Sequence, residues 1–411
     1  MRLLILNDHW GALGGGEVVA AQLAAELRRE HEVAVLTTDC QRDSVERQDG
    51  LTMYRVRSSY PARLRPVMGL VNPLTLGGVR RVLAAFRPNL VHAWNVHDHI
   101  SYTSLALARR AGIPTVLTFQ DALPFCYTKF HCYIDRGAPC PIRPDYRARP
   151  NHCASCGRHY RLFPPRNRLT RTLIRRYARA TVAVSQALAD ALADNDLPGP
   201  TVIHNGLPLD QFPARPELIA KLRQRFTLGS EAVIAGGRIG FFKGQHQLLE
   251  AFAELAPGRP AAQLVLAGRH DDWYGQQLMQ RAAELKLSER VIFAGFLPHP
   301  DFVALLGAGA MFATLSLYLD PFPTVNLETG AAGRPVLGTC FGGTPEVVID
   351  GETGRLVNPF RLPEVTTALE NLLADPDQRE RLGARAAQLV RERFPMRAMV
   401  DGYSRLFESL T

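Results

Sequence analysis

The chain has 411 residues, of which 46% are apolar and 21% charged, and its formal net charge is +9. This length exceeds one ordinary hydrophobic core, so we expect two globular domains and exclude a disordered or fibrous chain. No apolar run approaches the roughly 20 residues that cross a bilayer. The N-terminus MRLLILNDHW lacks a small-residue cleavage site and predicts a first strand, so the expected localisation is cytoplasmic.

The positive charge lies in the N-terminal half. Residues 1–200 contain 27 Lys and Arg against 16 Asp and Glu, whereas residues 201–411 contain 21 against 23. A basic half fits an anionic partner, such as a phospholipid surface or a phosphorylated acceptor. It also fits a general preference for Arg, because only four of the bases are Lys. No nucleic-acid partner is predicted.

The first half alternates strand and helix patterns. RLLILN (2–7) is followed by the glycine-rich HWGALGGGE (9–17), a helical pattern of Val19, Leu23 and Leu27, and the strand-like EVAVLTT (32–38). Further apolar runs end in polar residues: NLVHAWN (89–95), TVLTFQD (115–121) and TVAVS (181–185). Buried runs separated by helices predict a parallel sheet covered on both faces.

A second series of such runs begins near TVIHNG (201–206), after the turn-rich segment DNDLPGP (194–200). Its runs are AVIAGGRI (232–239), QLVLAGRH (263–270), VIFAGFLP (291–298), MFATLS (311–316), PVLGT (335–339) and GRLVN (354–358). We therefore predict an α/β protein with two doubly wound, Rossmann-like domains facing across a cleft. Ligands in such sheets bind beyond the carboxyl ends of the strands.

The predicted boundaries follow from these two series. Residues 1–199 form an N-terminal domain with a Cys-rich insertion at about 122–165. Residues 200–395 form the ligand-binding second domain, and a helix over 396–411 returns to the first domain.

The segment GGRIGFFKG places two cations on the loop after a strand. Arg238 and Lys243, flanked by Gly237 and Gly244, suit a diphosphate, because the glycines allow close backbone approach. A solvated surface loop is the alternative for this segment taken alone.

The stretch LDPFPTVNLETGAAGRPV (319–336) strengthens the diphosphate interpretation. Pro321 and Pro323 favour a helix that starts near Thr324, and Gly333 with Pro335 predicts the end of that helix. The amides at such a helix start bind anions. Glu328 lies about 6–8 Å along the helix axis from its N-terminus, where its carboxylate can accept hydrogen bonds from both hydroxyls of a ribose. Asp320 then points at the group attached to the diphosphate.

These motifs resemble the donor site of retaining GT-B glycosyltransferases of the family-four group. That family has two acids separated by seven residues, matched by Asp320 and Glu328, followed by a G-x-P-V strand, matched by 333–336. Its G-R-x-x-x-x-K-G motif matches 237–244. Its glycine-rich first loop matches 14–17, and its N-G turn matches 205–206. The runs GGTPEVV (342–348) and GETGRLV (351–357) match as well, so the resemblance spans nearly the whole chain.

The resemblance implies a nucleotide-sugar donor, with UDP, GDP or ADP as the nucleotide, and a glycan or lipid-linked acceptor. It implies catalysis without a metal, because Arg238 and Lys243 neutralise the diphosphate. Asp320 holds the donor sugar, and same-face attack retains the anomeric configuration while the diphosphate helps to take the acceptor proton. The residues that it assigns to the nucleotide are Gly15, Gly16, Gly237, Gly268, Phe296, Leu297, Thr324, Val325 and Glu328.

Two positions depart from the family pattern. Asp320 stands where Glu is usual and is shorter by one methylene group. Gln120 stands where many members carry His, and Gln cannot exchange a proton near neutral pH, so Asp121 is the predicted substitute. His92, His97 and His99 are other candidates on first-domain loops, each with a purely structural role as the alternative.

Five of the seven cysteines lie between residues 126 and 156. Cys132, Cys140, Cys153 and Cys156 could hold a tetrahedral structural zinc ion. Free thiols and disulfides remain open as alternatives for this cluster.

The basic segment RLTRTLIRRYARA (168–180) has two interpretations. It could contact an anionic membrane peripherally, beside a lipid-linked acceptor. Alternatively, it presents a solvated Arg face over a buried stripe of Leu169, Leu173 and Tyr177.

Two other functions compete with transfer. A Rossmann oxidoreductase is disfavoured, because GALGGGE is not G-x-G-x-x-G. A catalytically silent GT-B subunit that binds a nucleotide or a partner protein stays open, because Asp320 and Gln120 depart from the pattern.

Overall fold

Two separate β-sheets organise the chain. The computed structural model describes residues 1–11, 14–126, 136–142, 145–148, 153, 165–197 and 199–411. The chain divides into a first unit, formed by Met1–Phe130, Asp145–Gly206 and Met396–Thr411, and a second, formed by His131–Pro144 and Leu207–Pro395.

The first unit contains an eight-stranded sheet in the order β3-β4-β2-β1-β5-β6-β7-β8, parallel except for the β3–β4 pair. Its strands are β1 Arg2–Leu6, β2 Glu32–Asp39, β3 Ser44–Gln48, β4 Leu51–Arg57, β5 Leu90–Ala93, β6 Thr115–Phe119, β7 Ala180–Ala183 and β8 Thr201–Val202. Its helices are α1 Gly15–Leu27, α2 Arg65–Met68, α3 Pro73–Phe86, α4 Thr103–Arg110, α5 Arg166–Tyr177, α6 Gln186–Asp194 and, at the end of the chain, α14 Met396–Glu408.

The central strand β1 explains why this sheet is buried on both faces. It pairs in parallel with β2 and with β5, so that Leu3 is opposite both Val33 and Leu90. Leu3 and Leu4 point to opposite faces because side chains alternate along a strand, and both are fully buried. An uninterrupted apolar run such as LLIL is what a strand covered on both sides requires.

Helix α14 packs into the core of the first unit. Met399, Tyr403 and Phe407 belong to the same buried cluster as Leu3 and Leu23. The hydroxyl of Tyr403 is 3.0 Å from Thr118 Oγ1. The last helix therefore completes the first unit, although the second unit precedes it in the sequence.

The second unit contains a six-stranded, fully parallel sheet in the order β11-β10-β9-β12-β13-β14. Its strands are β9 Ala232–Gly236, β10 Gln263–Ala267, β11 Val291–Gly295, β12 Met311–Thr314, β13 Val336–Thr339 and β14 Gly354–Val357. Its helices are α7 Pro216–Arg225, α8 Gln245–Leu255, α9 Trp273–Glu284, α10 His299–Ala308, α11 Thr324–Ala331, α12 Leu362–Ala374 and α13 Pro376–Arg393.

Alternation along β9 builds two hydrophobic layers on this sheet. Val233 and Ala235 join one buried cluster, with residues of α8, α9 and α12. Ala232 and Ile234 join the other, with residues of α7 and α10. Helices therefore cover both faces, and the predicted α/β class with two doubly wound sheets is confirmed.

The structure differs from the predicted boundary between the units. TVIHNG begins the second series in the prediction, whereas Thr201 and Val202 form β8 and pair with β7 of the first sheet. The first unit therefore extends to Gly206. A two-residue edge strand carries too little apolar pattern to be assigned to one sheet or the other from sequence.

Helix α5 also differs from prediction in its buried face. Thr170 and Ile174 are buried, whereas Leu169 is 42% exposed and the side chains of Leu173 and Tyr177 are only partly buried. The predicted stripe of Leu169, Leu173 and Tyr177 is therefore wrong by one position. Within the described residues, no helix combines the length and the hydropathy needed to span a membrane.

Candidate functional site

The loop between β9 and α8 carries the two predicted phosphate-binding cations. Its ends turn at Gly237, with φ +89°, and at Gly244, with φ +74°. A Cβ at Gly244 would lie 2.0 Å from the carbonyl oxygen of Leu315, so only glycine fits. Nε2 of the buried Gln245 donates to the Arg238 carbonyl at 3.1 Å, and this bond ties the start of α8 to the loop after β9.

Lys243 and Asp320 form the centre of the candidate site. Lys243 Nζ is 2.6 Å from Asp320 Oδ2, and the same oxygen accepts a hydrogen bond of 2.8 Å from the Ser316 hydroxyl. Burial alone would lower the pKa of Lys243, but the Asp320 carboxylate and Tyr318 outweigh it and raise that pKa. Burial together with the Asp320 charge raises the pKa of Tyr318 to about 12. Lys243 is therefore charged at neutral pH.

Backbone contacts hold Asp320 in place from both sides. The Leu317 amide donates to the Phe242 carbonyl at 2.8 Å, which joins the Asp320 loop to the Lys243 loop. The Gly343 amide donates to the Asp320 carbonyl at 2.9 Å. A Cβ at Gly342, where φ is +62°, would lie 2.2 Å from that carbonyl oxygen. Asp320 itself is 5% exposed.

Helix α11 begins four residues after Asp320. Pro323 occupies its N-cap position, and no side chain caps this end. The first helical amides, those of Thr324 and Val325, therefore have no side-chain acceptor within the described chain. They are available for an anion, as the sequence predicts.

Glu328 lies in the second turn of α11, near His299 of α10. Its side chain is 14% exposed, and its Oε1 is 3.9 Å from His299 Nε2. Interaction with the Glu328 carboxylate raises the pKa of His299 against the effect of burial. The sequence analysis missed His299, although its place shortly after the strand β11 is a signal that could have found it.

The residues predicted to hold a base lie on the loops after β10 and β11. Gly268 has φ +153°, and a Cβ there would lie 2.4 Å from the Gly237 carbonyl oxygen. Leu297 is buried, whereas Phe296 is 67% exposed with the Arg269 guanidinium 5.5 Å from its ring centroid. These loops therefore adjoin the loop that carries Arg238.

The Arg238 guanidinium is not paired with any of the predicted acids. The Arg238 side chain is exposed, and its guanidinium makes no hydrogen bond or ion pair with the described part of the chain. Lys243 and Asp320 are brought into direct contact, whereas Glu328 pairs with His299.

The first unit brings its predicted residues together at the ends of β1, β5 and β6. Gly15 and Gly16 begin α1, and the Trp94 indole donates to the Gly16 carbonyl at 3.0 Å. A Cβ at Gly16 would lie 3.4 Å from Gln120 Oε1. Asp121 Oδ2 is 3.8 Å from His97 Nε2.

The buried carboxylate of Asp8 was missed by the sequence analysis. It accepts hydrogen bonds from the amides of Asp98, His99 and Ile100 at 2.7, 2.9 and 2.6 Å. Burial raises its pKa to about 6. Asp8 thus holds the loop that presents His97, and its position directly after β1 is the signal that could have found it.

Of the other candidate histidines, His92 is a core residue. It is 1% exposed and lies between the rings of Trp94, Tyr403 and Phe407. Burial lowers its pKa to about 3. His99 is partly buried, and its Nδ1 lies 2.8 Å from Ser58 Oγ.

The predicted zinc ligand set is wrong at Cys140, because Cys140 forms a disulfide with Cys340. A disulfide sulfur carries no thiolate to donate to zinc. Cys132 and Cys156 lie outside the described residues, and Cys153 stays a prediction. Among the residues that the structure describes, no group of three or more His, Cys, Asp or Glu could hold a metal ion.

Two family models together match most of the chain. The model described as Glycosyl transferases group 1 matches residues 221–389, and the model described as Glycosyltransferase Family 4 matches residues 13–211.

Curated relatives match parts of the chain. A GDP-mannose-dependent alpha-(1-6)-phosphatidylinositol monomannoside mannosyltransferase of Mycolicibacterium smegmatis is 31% identical over 219 residues, which cover 52% of this chain and 55% of the relative. An alpha-D-kanosaminyltransferase of Streptomyces kanamyceticus is 31% identical over 192 residues, which cover 46% of this chain and 49% of the relative. A glycogen synthase of Mycobacterium tuberculosis is 25% identical, with 79% and 69% covered. The chain thus spans about half the length of the first two relatives.

Solved structures share the fold over the full length. Anabaena HepE in complex with UDP matches with a TM-score of 0.76 and 22% identity, covering 100% of both chains. The sucrose-phosphate synthase of Thermosynechococcus elongatus matches with a TM-score of 0.77 and 20% identity, covering 100% of this chain and 98% of that one. The predicted GT-B fold is confirmed by these likenesses.

Proposed function

Because the chain belongs to the family of glycosyl transferases group 1, we propose that it transfers a sugar from a nucleoside diphosphate donor to a glycan or lipid-linked acceptor. We propose further that transfer retains the anomeric configuration and needs no metal ion. The observation that carries this proposal is the contact between Lys243 and Asp320, directly before the uncapped start of α11. The relatives named for GDP-mannose and the neighbours bound to UDP support a nucleotide-sugar.

The leaving group is the diphosphate. Breaking the anomeric C–O bond adds negative charge to it, and Lys243, Arg238 and the amides of Thr324 and Val325 stabilise that charge. Such fixed donors lower the barrier because they interact more strongly with the transition state than with the bound substrate. These cations take the role that a divalent ion plays in other transferases.

The sugar and the ribose contact different carboxylates. Glu328 accepts hydrogen bonds from the ribose hydroxyls, because it lies in the second turn of α11, one turn beyond the amides that hold the phosphates. Asp320 accepts hydrogen bonds from hydroxyls of the donor sugar once Lys243 pairs with the diphosphate. The base lies against Gly268, Phe296 and Leu297.

The first unit contributes the acceptor side. Asp121, with His97 beside it at 3.8 Å, orients the acceptor hydroxyl, and Gly15 and Gly16 approach the distal phosphate. The departing diphosphate takes the acceptor proton, so no strong protein base is required. This acceptor class fits peripheral contact with an anionic membrane, since one relative is named for a phosphatidylinositol acceptor.

The test is turnover of a panel of UDP-, GDP- and ADP-sugars, with and without a chelator. We expect hydrolysis or transfer of one donor, no effect of the chelator, and an α-configured product from an α-linked donor by NMR. Glu328→Gln should lose activity, whereas Glu289→Gln, an exposed acid before β11, should keep it. Binding without turnover would support the silent-subunit alternative, and an inverted product would refute retention.

A further inference from the structure

Residues 136–142 belong to the second unit, although the chain on either side of 131–144 belongs to the first. The disulfide between Cys140 and Cys340 joins them to the end of β13 across 200 positions in sequence. Cys140 and Ile142 also pack against the buried pair of Cys340 and Phe341. The segment is therefore attached at the carboxyl edge of the second sheet.

Side chains after β14 hold the same segment. Asn358, which is fully buried, donates through Nδ2 to the Ala138 carbonyl at 2.7 Å. Arg361 Nη1 donates to the Gly137 carbonyl at 2.7 Å. The Arg136 guanidinium lies 4.9 Å from the Phe360 ring centroid. A disulfide, two hydrogen bonds and a cation–π contact thus all hold residues 136–142 against the loops after β13 and β14.

The loop that carries Cys340 is the loop that holds Asp320. Cys340 itself is tied to β14 by its amide, which donates to the Val357 carbonyl at 3.0 Å. Three residues later, the Gly343 amide donates to the Asp320 carbonyl, and Gly342 touches the same backbone. A displacement of this loop therefore reaches Asp320 through one hydrogen bond and one close backbone contact.

We propose that Cys140 and Cys340 are positioning residues for donor-sugar recognition, whose disulfide fixes the loop 340–343 and through it Asp320. This inference rests on the proposed function, because Asp320 is taken there to contact the donor sugar. Each non-covalent contact of the segment is weak when taken singly. The bond keeps both partners at high effective concentration and so makes these contacts persistent.

The bond can be opened by a dithiol such as dithiothreitol. Two thiol–disulfide exchange steps transfer two electrons and two protons, so that Cys140 and Cys340 become thiols and the dithiol closes to its own cyclic disulfide. Cys140→Ser and Cys340→Ser remove the bond without a reductant. Cys40→Ser is the matched control, because Cys40 is an exposed free cysteine after β2.

The experiment measures kcat/KM for the donor found by the panel and, separately, Kd for the free nucleoside diphosphate. Because small displacements of positioning groups reduce rates by up to about 100-fold, we expect kcat/KM to fall about 10- to 100-fold in either serine variant and in the reduced wild type. The diphosphate Kd should change less than about threefold, because the loop 340–343 makes no hydrogen bond to Arg238, Lys243 or the first amides of α11. If the disulfide had a purely structural role, its loss would lower kcat/KM and raise the diphosphate Kd by similar factors.

The outcomes separate this inference from the proposed function. Peptide mapping of the oxidised protein should recover a fragment that contains the Cys140–Cys340 linkage. Reductant should have no further effect on either serine variant, and Cys40→Ser should behave as the wild type. Absence of the linked fragment, or unchanged kcat/KM in both variants and in the reduced protein, overturns the inference. Absence of turnover in the oxidised wild type overturns the proposed function instead.

If a serine variant unfolds, Arg361→Gln tests the same idea with the disulfide intact. This change removes the donor to the Gly137 carbonyl, and it should reduce kcat/KM about two- to fivefold while the diphosphate Kd stays the same, as expected for one exposed hydrogen bond to a charged group. No change in kcat/KM, or an equal loss in both quantities, counts against a positioning role.

Discussion

Lys243 and Asp320 neutralise one another in the absence of a ligand. Lys243 Nζ is 2.6 Å from the Asp320 carboxylate, which is nearly inaccessible to solvent. Removing one partner of such a pair leaves the other charge without compensation, whereas removing both is far less costly. In the proposed function, a bound diphosphate would give Lys243 a second anion and release Asp320 for the hydroxyls of a sugar. Recognition of the sugar would then depend on the phosphates.

The first prediction is a double-mutant cycle on this pair. Lys243→Met should lower the melting temperature of the second unit by about 5 °C, because the buried Asp320 carboxylate loses its cation but keeps its hydrogen bond from the Ser316 hydroxyl. Lys243→Met combined with Asp320→Asn should recover most of that loss. Both of these variants, and Asp320→Asn alone, should lose donor turnover by at least about 100-fold.

Differential scanning calorimetry and donor turnover measure the two effects separately. Lys221→Met on helix α7 is the control for removing a lysine. An additive loss of stability in the double variant would mean that the two side chains do not interact. Retained turnover in Lys243→Met would remove Lys243 from the catalytic group.

At this scale the sequence predicts residue identities better than their partners. The spacing of Asp320 and Glu328 and the glycine-flanked cations found the candidate site, because loops after parallel strands meet at one edge of a sheet. Ser316, His299 and Asp8 were missed, because each acts through a contact that depends on side-chain direction. Cys340 lies 200 residues from Cys140, and no local spacing predicts such a pairing.

The loops between strands and helices depend on a few glycines. Gly244 has a left-handed φ, and its Cα faces the Leu315 carbonyl oxygen across the gap between two loops. Gly240 lies in the same loop with extended backbone at φ 178°, and nothing lies within 4 Å of a Cβ placed there. The two positions separate the effect of local strain from that of adding a methyl group.

The second prediction follows from this contrast. Gly244→Ala should displace Lys243 from Asp320 and reduce donor turnover by about 100-fold, since sub-ångström placement controls such contacts. It should also lower the melting temperature, because an L-residue is strained at φ +74°. Gly240→Ala should leave turnover within about twofold of the wild type. Equal behaviour of the two variants would show that the loop tolerates rearrangement.

Helix α14 is joined to the first sheet through a buried histidine. His92 Nε2 lies 2.8 Å from Thr118 Oγ1, which in turn contacts the Tyr403 hydroxyl. Burial lowers the pKa of His92 to about 3, against an ordinary value near 6.5. The unfolded chain therefore binds a proton below about pH 6.5 that the folded chain does not, and stability is lost as the pH falls from there towards 3.

The third prediction gives this effect a size. Between pH 7 and pH 5 the first unit should lose about 2 kcal/mol through His92, and His92→Gln should remove that part of the pH dependence. Trp94, 5.2 Å from the His92 ring centroid, reports on this unit by fluorescence during urea unfolding in a Trp273→Phe background. His246→Gln, at an exposed position, should leave the pH slope unchanged. An equal slope in wild type and His92→Gln would show that His92 is not responsible.

Element prediction from sequence succeeded where hydrophobic patterns are long. Continuous apolar runs predicted β1, β9 and β10, because a strand that is buried on both faces is mostly apolar. Strand β8 has only two residues, so pairing with β7 and not pattern decides its sheet. In α5 the polar Thr170 is buried, whereas its apolar neighbour Leu169 is exposed. Local hydrophobicity therefore pointed to the wrong stripe.

For the whole molecule, two hydrophobic cores mean that unfolding need not be a single transition. Each unit has its own sheet and its own buried cluster. A ligand stabilises only the folded regions that it contacts, by RT ln(1 + [L]/Kd). The residues proposed to hold the nucleotide lie in the second unit, except for Gly15 and Gly16 of the first. Calorimetry with a nucleotide therefore tests which units contribute to the site.

The fourth prediction concerns free UDP, GDP and ADP without divalent ions. At about 100 times its Kd, the correct nucleotide adds about 2.7 kcal/mol, which raises the melting temperature of the second unit by about 5–10 °C. Glu328→Gln should reduce the shift by removing the ribose acceptor, and Glu289→Gln should not. If Gly15 and Gly16 contact the phosphate, the transition of the first unit rises with the second. If only the second transition moves, the first unit contributes nothing to nucleotide binding. Shifts that require magnesium would contradict charge neutralisation by Arg238 and Lys243, and equal shifts with Glu328→Gln would place the ribose elsewhere.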